Sequence, residues 1–91
     1  MSVTVRIPAQ LRTLTGGAGE LALAGSTVVE VLKDLDASHP GFADRLFDDT
    51  GALRRFVNIF LDDEDVRFLQ GLDTAVVDGQ TVSIVPAVAG G

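Results

Sequence analysis

The sequence predicts an α+β domain in which one main helix packs on one face of a mixed β-sheet. Apolar residues alternate with polar ones near both ends of the chain, which is typical of half-buried strands. Between these segments lies one apolar stripe with helical spacing. At 91 residues with 46% hydrophobic content, the chain is long enough for a single modest core.

The N-terminal third predicts a β-hairpin. Alternation over residues 3–7 indicates a strand, and Pro8 closes it. An irregular stretch follows and ends at the turn signal of residues 16–17. Residues 20–23 then have the pattern of a short return strand.

The main helix is predicted to begin after Thr27. Thr27 and Glu30 have capping-box spacing, so we expect the Thr27 hydroxyl to accept from the Glu30 amide and the Glu30 carboxylate to accept from the Thr27 amide. Pro40 and Gly41 end the helix. Its buried stripe is predicted to consist of Val28, Val31, Leu32 and Leu35.

The C-terminal half contains the remaining strands. In order, we expect a short amphipathic turn over 42–47, a polar loop over 48–51, a strand over 56–61, an acidic turn over 62–65, a short return strand over 66–68 and a final strand over 81–85. Asp78-Gly79 favours the turn before the last strand.

Strand alternation assigns each side chain to a face of the sheet. The residues expected to face the helix are Val3, Val5, Ile7, Val57, Ile59, Leu61, Val82 and Ile84. Those expected on the opposite face are Thr4, Arg6, Phe56, Phe60, Ser83 and Val85. Apolar side chains on a face without a covering helix indicate a binding patch, and we expect Phe60, Val85 and Arg6 to bind partner proteins.

Composition excludes several classes of function. The chain has no cysteine, so it has no disulfide, thiolate metal site or cysteine nucleophile. The net charge of −6 disfavours nucleic acid and anionic membranes as partners. No metal site is expected, because His39 is the only histidine and residues 62–65 lack calcium-loop spacing. The N-terminus lacks signal-peptide features, which predicts a cytoplasmic protein.

The C-terminus is the most informative segment. Residues 1–86 are expected to form the domain, and 87–91 a flexible tail that ends in Gly-Gly. Glycine has no Cβ, so Gly90 and Gly91 suit a backbone that threads a narrow channel, together with Ala89 and Val88. Such a tail can present the Gly91 carboxylate to another protein's active site.

Several segments together resemble the ubiquitin-like sulfur-carrier family. The resemblance rests on residues 3–8, 55–59, 63–68, 71–74, 78–82 and 86–91. The family includes the small subunit of molybdopterin synthase, the thiamine-pathway sulfur carrier and the actinobacterial cysteine-biosynthesis carrier, to which the likeness is closest. The resemblance implies a β-grasp fold, in agreement with the predicted order of elements.

The resemblance also implies a chemistry. A ubiquitin-activating-type enzyme would use ATP to adenylate the Gly91 carboxylate, and sulfide or a persulfide would then displace AMP to leave a thiocarboxylate. The chain would bind no cofactor and would be a protein co-substrate rather than an enzyme. The implied partners are the activating enzyme, a PLP-dependent cysteine synthase and a metalloprotease that releases cysteine.

Two alternatives remain open at this point. The same carrier chemistry could serve molybdopterin synthesis or tRNA thiolation. Alternatively, the chain could be a ubiquitin-like modifier that acts noncovalently or is conjugated to lysines. The sequence does not distinguish the acceptor pathways.

Overall fold

The computed structural model describes residues 2–86 and contains a five-stranded mixed sheet. Its strands are β1 (Val3–Arg6), β2 (Glu20–Leu23), β3 (Val57–Leu61), β4 (Glu64–Asp65) and β5 (Thr81–Pro86). They lie in the order β2-β1-β5-β3-β4. β1 and β5 are parallel, and the other neighbouring pairs are antiparallel. The final strand is therefore the centre of the sheet.

The two α-helices are α1 (Val28–Ser38) and α2 (Phe42–Leu46). Short 3-10 helices cover Ala9–Thr15, Val66–Phe68 and Gly71–Asp73. The predicted α+β class, the N-terminal hairpin and the single main helix are confirmed. The division into a 1–86 domain and a flexible 87–91 tail stays a prediction, because Met1 and residues 87–91 lie outside the described residues.

One side of the sheet packs against α1 and α2 to form the core. Every strand residue predicted to face the helix is buried, as is the whole α1 stripe. Phe42 and Leu46 of α2 are also completely buried. The alternation of the strands therefore assigned the inner face correctly.

The start of α1 differs from the prediction in one contact. The Thr27 hydroxyl accepts from the Glu30 amide at 3.4 Å, as expected. The Glu30 carboxylate, however, accepts from the Ser26 amide at 2.9 Å, so the predicted bond to the Thr27 amide was wrong. The chain passes very close to the helix at Gly25, where a Cβ would lie 2.7 Å from the Val31 nitrogen. This close passage brings the Ser26 amide within reach of Glu30.

The predicted return strand over 66–68 was also wrong, because these residues form a 3-10 helix. The Asp65 carboxylate accepts from the Arg67 amide at 2.9 Å and caps this helix at its start. The strand that pairs with β3 lies earlier, at Glu64–Asp65, within the segment predicted as an acidic turn. Asp62, at a φ of 54°, makes the turn itself.

Within the described residues, no helix has both the length and the apolar character that a membrane crossing requires.

Candidate functional site

The sheet face opposite α1 brings the predicted partner-binding residues together. Ser83 of β5 pairs with Arg6 on one side and with Phe60 on the other. Neighbouring strands are about 4.8 Å apart, so the Arg6 and Phe60 backbones lie about 10 Å from each other. Val85 is two residues further along β5, on the same face. The predicted placement is confirmed, whereas the binding role stays a prediction.

These side chains differ in accessibility. Val85 is 43% exposed, and Phe60 is half-buried. Phe56, which lies just before β3, is 60% exposed. Phe60 is therefore only partly accessible to solvent, while Phe56 is largely accessible.

Arg6 forms an ion pair on this face. Its Nε lies 3.3 Å from Oε2 of Glu20 on β2, and both side chains are more than half exposed. Such exposed pairs contribute about 0–1 kcal/mol to stability, so a partner carboxylate can compete with Glu20 at low cost. The two residues border an open cavity of about 520 Å³, whose other lining residues are Asp62, Asp63, Thr81 and Ser83.

The end of the central strand is the base of the predicted tail. Pro86, the last described residue of β5, pairs with Val57, the first residue of β3. The described part of the chain therefore ends in the middle of the sheet, beside the segment that leads into β3. Gly91, Gly90, Ala89 and Val88, predicted as the reactive and threading residues, lie outside the described residues.

The sequence interpretation included Phe56 in the binding patch of the outer face but missed Phe68 as a site candidate. Phe56 lies beside the tail base, and Phe68 is 87% exposed in the 3-10 helix after β4. Arg67, next to Phe68, donates from its guanidinium to the Val57 carbonyl at 3.0 Å. Antiparallel pairing of β3 with β5 would also have placed Phe56 at the tail base, because the start of β3 must lie beside the end of β5.

A polar loop flanks the tail base. Asp48 Oδ1 accepts from the Thr50 hydroxyl at 2.6 Å, from the Thr50 amide at 2.8 Å and from the Ala52 amide at 3.2 Å. The hydrogen bond from the Thr50 hydroxyl, followed by those from the backbone amides, lowers the pKa of Asp48 below its ordinary value, and Arg54 adds a weaker effect. The charged form of Asp48 therefore holds the loop closed.

This shift predicts a pH dependence of stability. A lowered pKa in the folded state contributes stability above the ordinary carboxyl pKa, and this contribution is lost as the pH falls through the lower folded value. Asp48→Ala is therefore expected to lose less stability than the parent chain between about pH 6 and about pH 3. Urea unfolding midpoints at the two pH values measure this difference. Asp63→Ala, which removes another exposed carboxylate, is the control. Equal pH dependence in the two variants would contradict the assigned role of Asp48.

No group of three or more His, Asp or Glu side chains within residues 2–86 is arranged to hold a metal ion. Within the described residues, the candidate site consists of the sheet face opposite α1 and the base of the C-terminal segment.

Comparisons with known proteins agree with this geometry. A family model described as the ThiS family matches residues 5–91. Sulfur carrier protein CysO of Mycobacterium tuberculosis is 52% identical, with 100% of each chain covered. Small archaeal modifier protein 3 of Haloferax volcanii is 42% identical over 72% of this chain and 71% of its own. In the crystal structure of the Amycolatopsis orientalis BexX/CysO complex, the matching chain has a TM-score of 0.92 and 48% identity, over 98% of this chain and 99% of that one.

Two predictions are confirmed by these matches. The structural neighbours have the β-grasp fold of ubiquitin-like sulfur carriers, so the fold prediction is correct. The curated relatives are named as carriers and a modifier rather than as catalysts, in agreement with the prediction that the chain is not an enzyme.

Proposed function

Because this chain belongs to the ThiS family, we propose that it is a sulfur carrier whose Gly91 carboxylate is converted to a thiocarboxylate for cysteine biosynthesis. The observation that carries the proposal is the 52% identity to sulfur carrier protein CysO over the full length of both chains. Partner enzymes bind the β-grasp domain, and they act chemically on the tail.

The first step is activation of the carboxylate. A carboxylate is a poor electrophile, so an activating enzyme transfers AMP from ATP to the Gly91 carboxylate and releases pyrophosphate. Sulfide then attacks the acyl carbon, and AMP leaves with the bonding electron pair. The product is a thiocarboxylate, –COS⁻. ATP is a substrate of the activating enzyme, and the carrier itself holds no cofactor.

The second step transfers the sulfur. We propose that the thiocarboxylate displaces the leaving group of an activated serine derivative bound to a PLP-dependent cysteine synthase. The thioester formed first rearranges to an amide, since the cysteine amine lies close to the acyl carbon and the amide is more stable. A metalloprotease then hydrolyses the bond after Gly91, which releases cysteine and regenerates the carrier. Tethering the sulfur replaces a free encounter with an oriented one.

The domain supports this role through its surface. Arg6, Phe60 and Val85 lie on one uncovered sheet face beside the strand that leads to the tail. We propose that this face docks the activating enzyme and the acceptor enzyme. The complex in which the related Amycolatopsis orientalis CysO was crystallised supports docking by a partner protein. Because activation consumes ATP, we place this chemistry in the cytoplasm.

The acceptor is tested by the mass of the product. Thiocarboxylated protein, incubated with an activated serine derivative and a cysteine synthase from the same genome, is expected to reach the mass of the carboxylate form plus one cysteine residue, because the carrier already holds the sulfur of that cysteine. The unmodified carboxylate form is the control and should gain nothing. If no adduct forms, while the large subunit of a molybdopterin synthase consumes the thiocarboxylate, sulfur delivery to molybdopterin replaces the cysteine pathway.

A second candidate function is protein modification. The 42% identity to small archaeal modifier protein 3 favours it. In that case the activated Gly91 would form an amide with a lysine of another protein. Tryptic mapping of a lysate supplied with the activating enzyme, ATP and the carrier would reveal remnants of residues 68–91 on lysines, because Arg67 is the last tryptic site of the chain. The noncovalent alternative would show neither such remnants nor a thiocarboxylate.

A further inference from the structure

Charge is distributed unevenly along the central strand. At the start of β5, Asp62 accepts hydrogen bonds from the Thr81 amide and the Gln80 side chain, both at 3.1 Å. The acidic residues 63–64 and Asp78 lie at this same end of the sheet. The other end of β5 is about 14 Å away, the length of the ladder that it forms with β3. Three arginines lie there, together with Asp48 of the flanking loop.

The arginines are held close to the base of the tail. The Val57 amide donates to the Arg54 carbonyl at 3.0 Å, which closes a tight turn with Arg55 and Phe56 at its tip. Val57 also pairs with Pro86 and receives the Arg67 guanidinium on its carbonyl at 3.0 Å. We call Arg54, Arg55, Phe56 and Arg67 the tail-base rim.

The charges of the rim are available to another molecule. Among residues 2–86, the only ion pair joins Arg6 to Glu20, so no rim arginine is paired with a carboxylate in this part of the chain. Asp48 borders a cavity of about 180 Å³ together with Arg54, Arg55 and Phe56, but its hydrogen-bonded oxygen is occupied by its own loop. Within the described residues, the Arg55 side chain makes no hydrogen bond.

We infer that the tail-base rim docks on an acidic and apolar surface that surrounds the opening through which the activating enzyme admits the tail. This inference rests on the proposed function. A rim with positive charge in a chain of net charge −6 provides local complementarity where the overall charge would repel an acidic partner. Phe56, exposed between the arginines and the sheet face, supplies the apolar contact.

An extended tail separates the rim from the nucleotide. Residues 87–91 can span about 17 Å when fully extended. When the Gly91 carboxylate reaches the α-phosphate of ATP through a narrow channel, the rim is left outside at the opening of that channel. The rim therefore determines capture of the carrier, and it should not influence the chemical step.

Arg55→Glu tests this inference against Lys33→Glu. Both variants change the net charge equally, and both residues are exposed, but Lys33 lies on α1 on the other side of the sheet. Carrier-dependent exchange of pyrophosphate into ATP measures activation. For Arg55→Glu at ~0.05 M salt, we expect the KM for the carrier to rise about tenfold or more, with kcat nearly unchanged. At ~0.5 M salt, the difference in KM between this variant and the parent chain should become smaller. Lys33→Glu should change the KM less than about twofold, and Arg55→Lys should restore most of the loss.

The possible failures are distinguishable. Equal KM values for Arg55→Glu and Lys33→Glu, with normal activation of both, would overturn the docking inference and leave the proposed function intact. A fall in kcat without a rise in KM would also overturn it, because the rim would then act on the chemical step. If the parent chain supports no exchange at all, the proposed function fails and the inference fails with it. Unfolding midpoints of both variants should equal that of the parent chain.

Discussion

Deletion of Gly91 is expected to abolish thiocarboxylate formation and leave the stability of the fold nearly unchanged. The activating enzyme must position one carboxylate oxygen for attack on the α-phosphate of ATP, and a displacement of about 1 Å can already cost about a hundredfold in rate. Removal of one residue withdraws the carboxylate by about 3.5 Å, which is beyond what side-chain adjustments can recover. Within residues 2–86 the core is built from apolar residues between Val3 and Ile84, so the fold is expected to keep its stability without Gly91.

Intact-mass analysis provides the measurement. After incubation with the activating enzyme, ATP and sulfide, the parent chain should gain the difference between one sulfur and one oxygen, and the truncated chain should not. Addition of one alanine after Gly91 is the complementary variant, because it lengthens the tail and is also expected to prevent the reaction. Sulfuration of either variant at the parental rate would show that the position of the carboxylate does not control activation.

The fold was largely predictable because its determinants are local. The capping residue Thr27 and the apolar stripe of α1 are read from spacing alone. The inner and outer faces of β1, β3 and β5 follow from alternation, which requires no knowledge of which strands are neighbours. The alternation of side chains along a strand does not depend on the order of the strands, so these assignments agreed with the structure.

The secondary structure of the segment after β3 was harder to predict, because a short-range hydrogen bond overrides its strand-like hydrophobic pattern. Val66-Arg67-Phe68 has the composition of a strand, but the Asp65 side chain captures the Arg67 amide and starts a 3-10 turn. One hydrogen bond from a backbone amide to an Asp side chain can redirect a three-residue segment, and the hydrophobic pattern does not reveal it. For the same reason, the Ser26 amide was not foreseen as the partner of Glu30.

The proposed docking site could be predicted only in part. Arg6, Phe60 and Val85 were assigned to one face from alternation, and the strand order places them in neighbouring rows. The tail-base rim depends on long-range information. Its turn at Arg55 and Phe56 becomes significant only because Pro86 pairs with Val57, nearly 30 residues away in sequence. Arginines that are ordinary surface charge in the sequence are thus brought to the base of the tail by sheet topology.

Substitutions at two neighbouring residues of β3 are expected to have different effects, one on stability and the other on partner binding. Ile59 points into the core and is 1% exposed, so Ile59→Ala should lower the free energy of unfolding by about 2–5 kcal/mol through lost burial and an unfilled cavity. Phe60 lies half-buried on the opposite face, so Phe60→Ala should cost less stability and instead weaken binding of the activating enzyme by about 1 kcal/mol or more. Urea denaturation measures the first effect, and titration of the enzyme measures the second.

Val85 and Ile84 repeat the comparison on the central strand. Val85→Asp should weaken binding with a small loss of stability, whereas Ile84→Ala, at a position 3% exposed, should destabilise the fold as Ile59→Ala does. The two pairs lie on adjacent antiparallel strands, with Ile84 opposite Ile59. A common result therefore tests the sheet face rather than a single side chain. If the inner and outer substitutions lowered the free energy of unfolding equally, the outer face would be part of the core and could not be a docking surface.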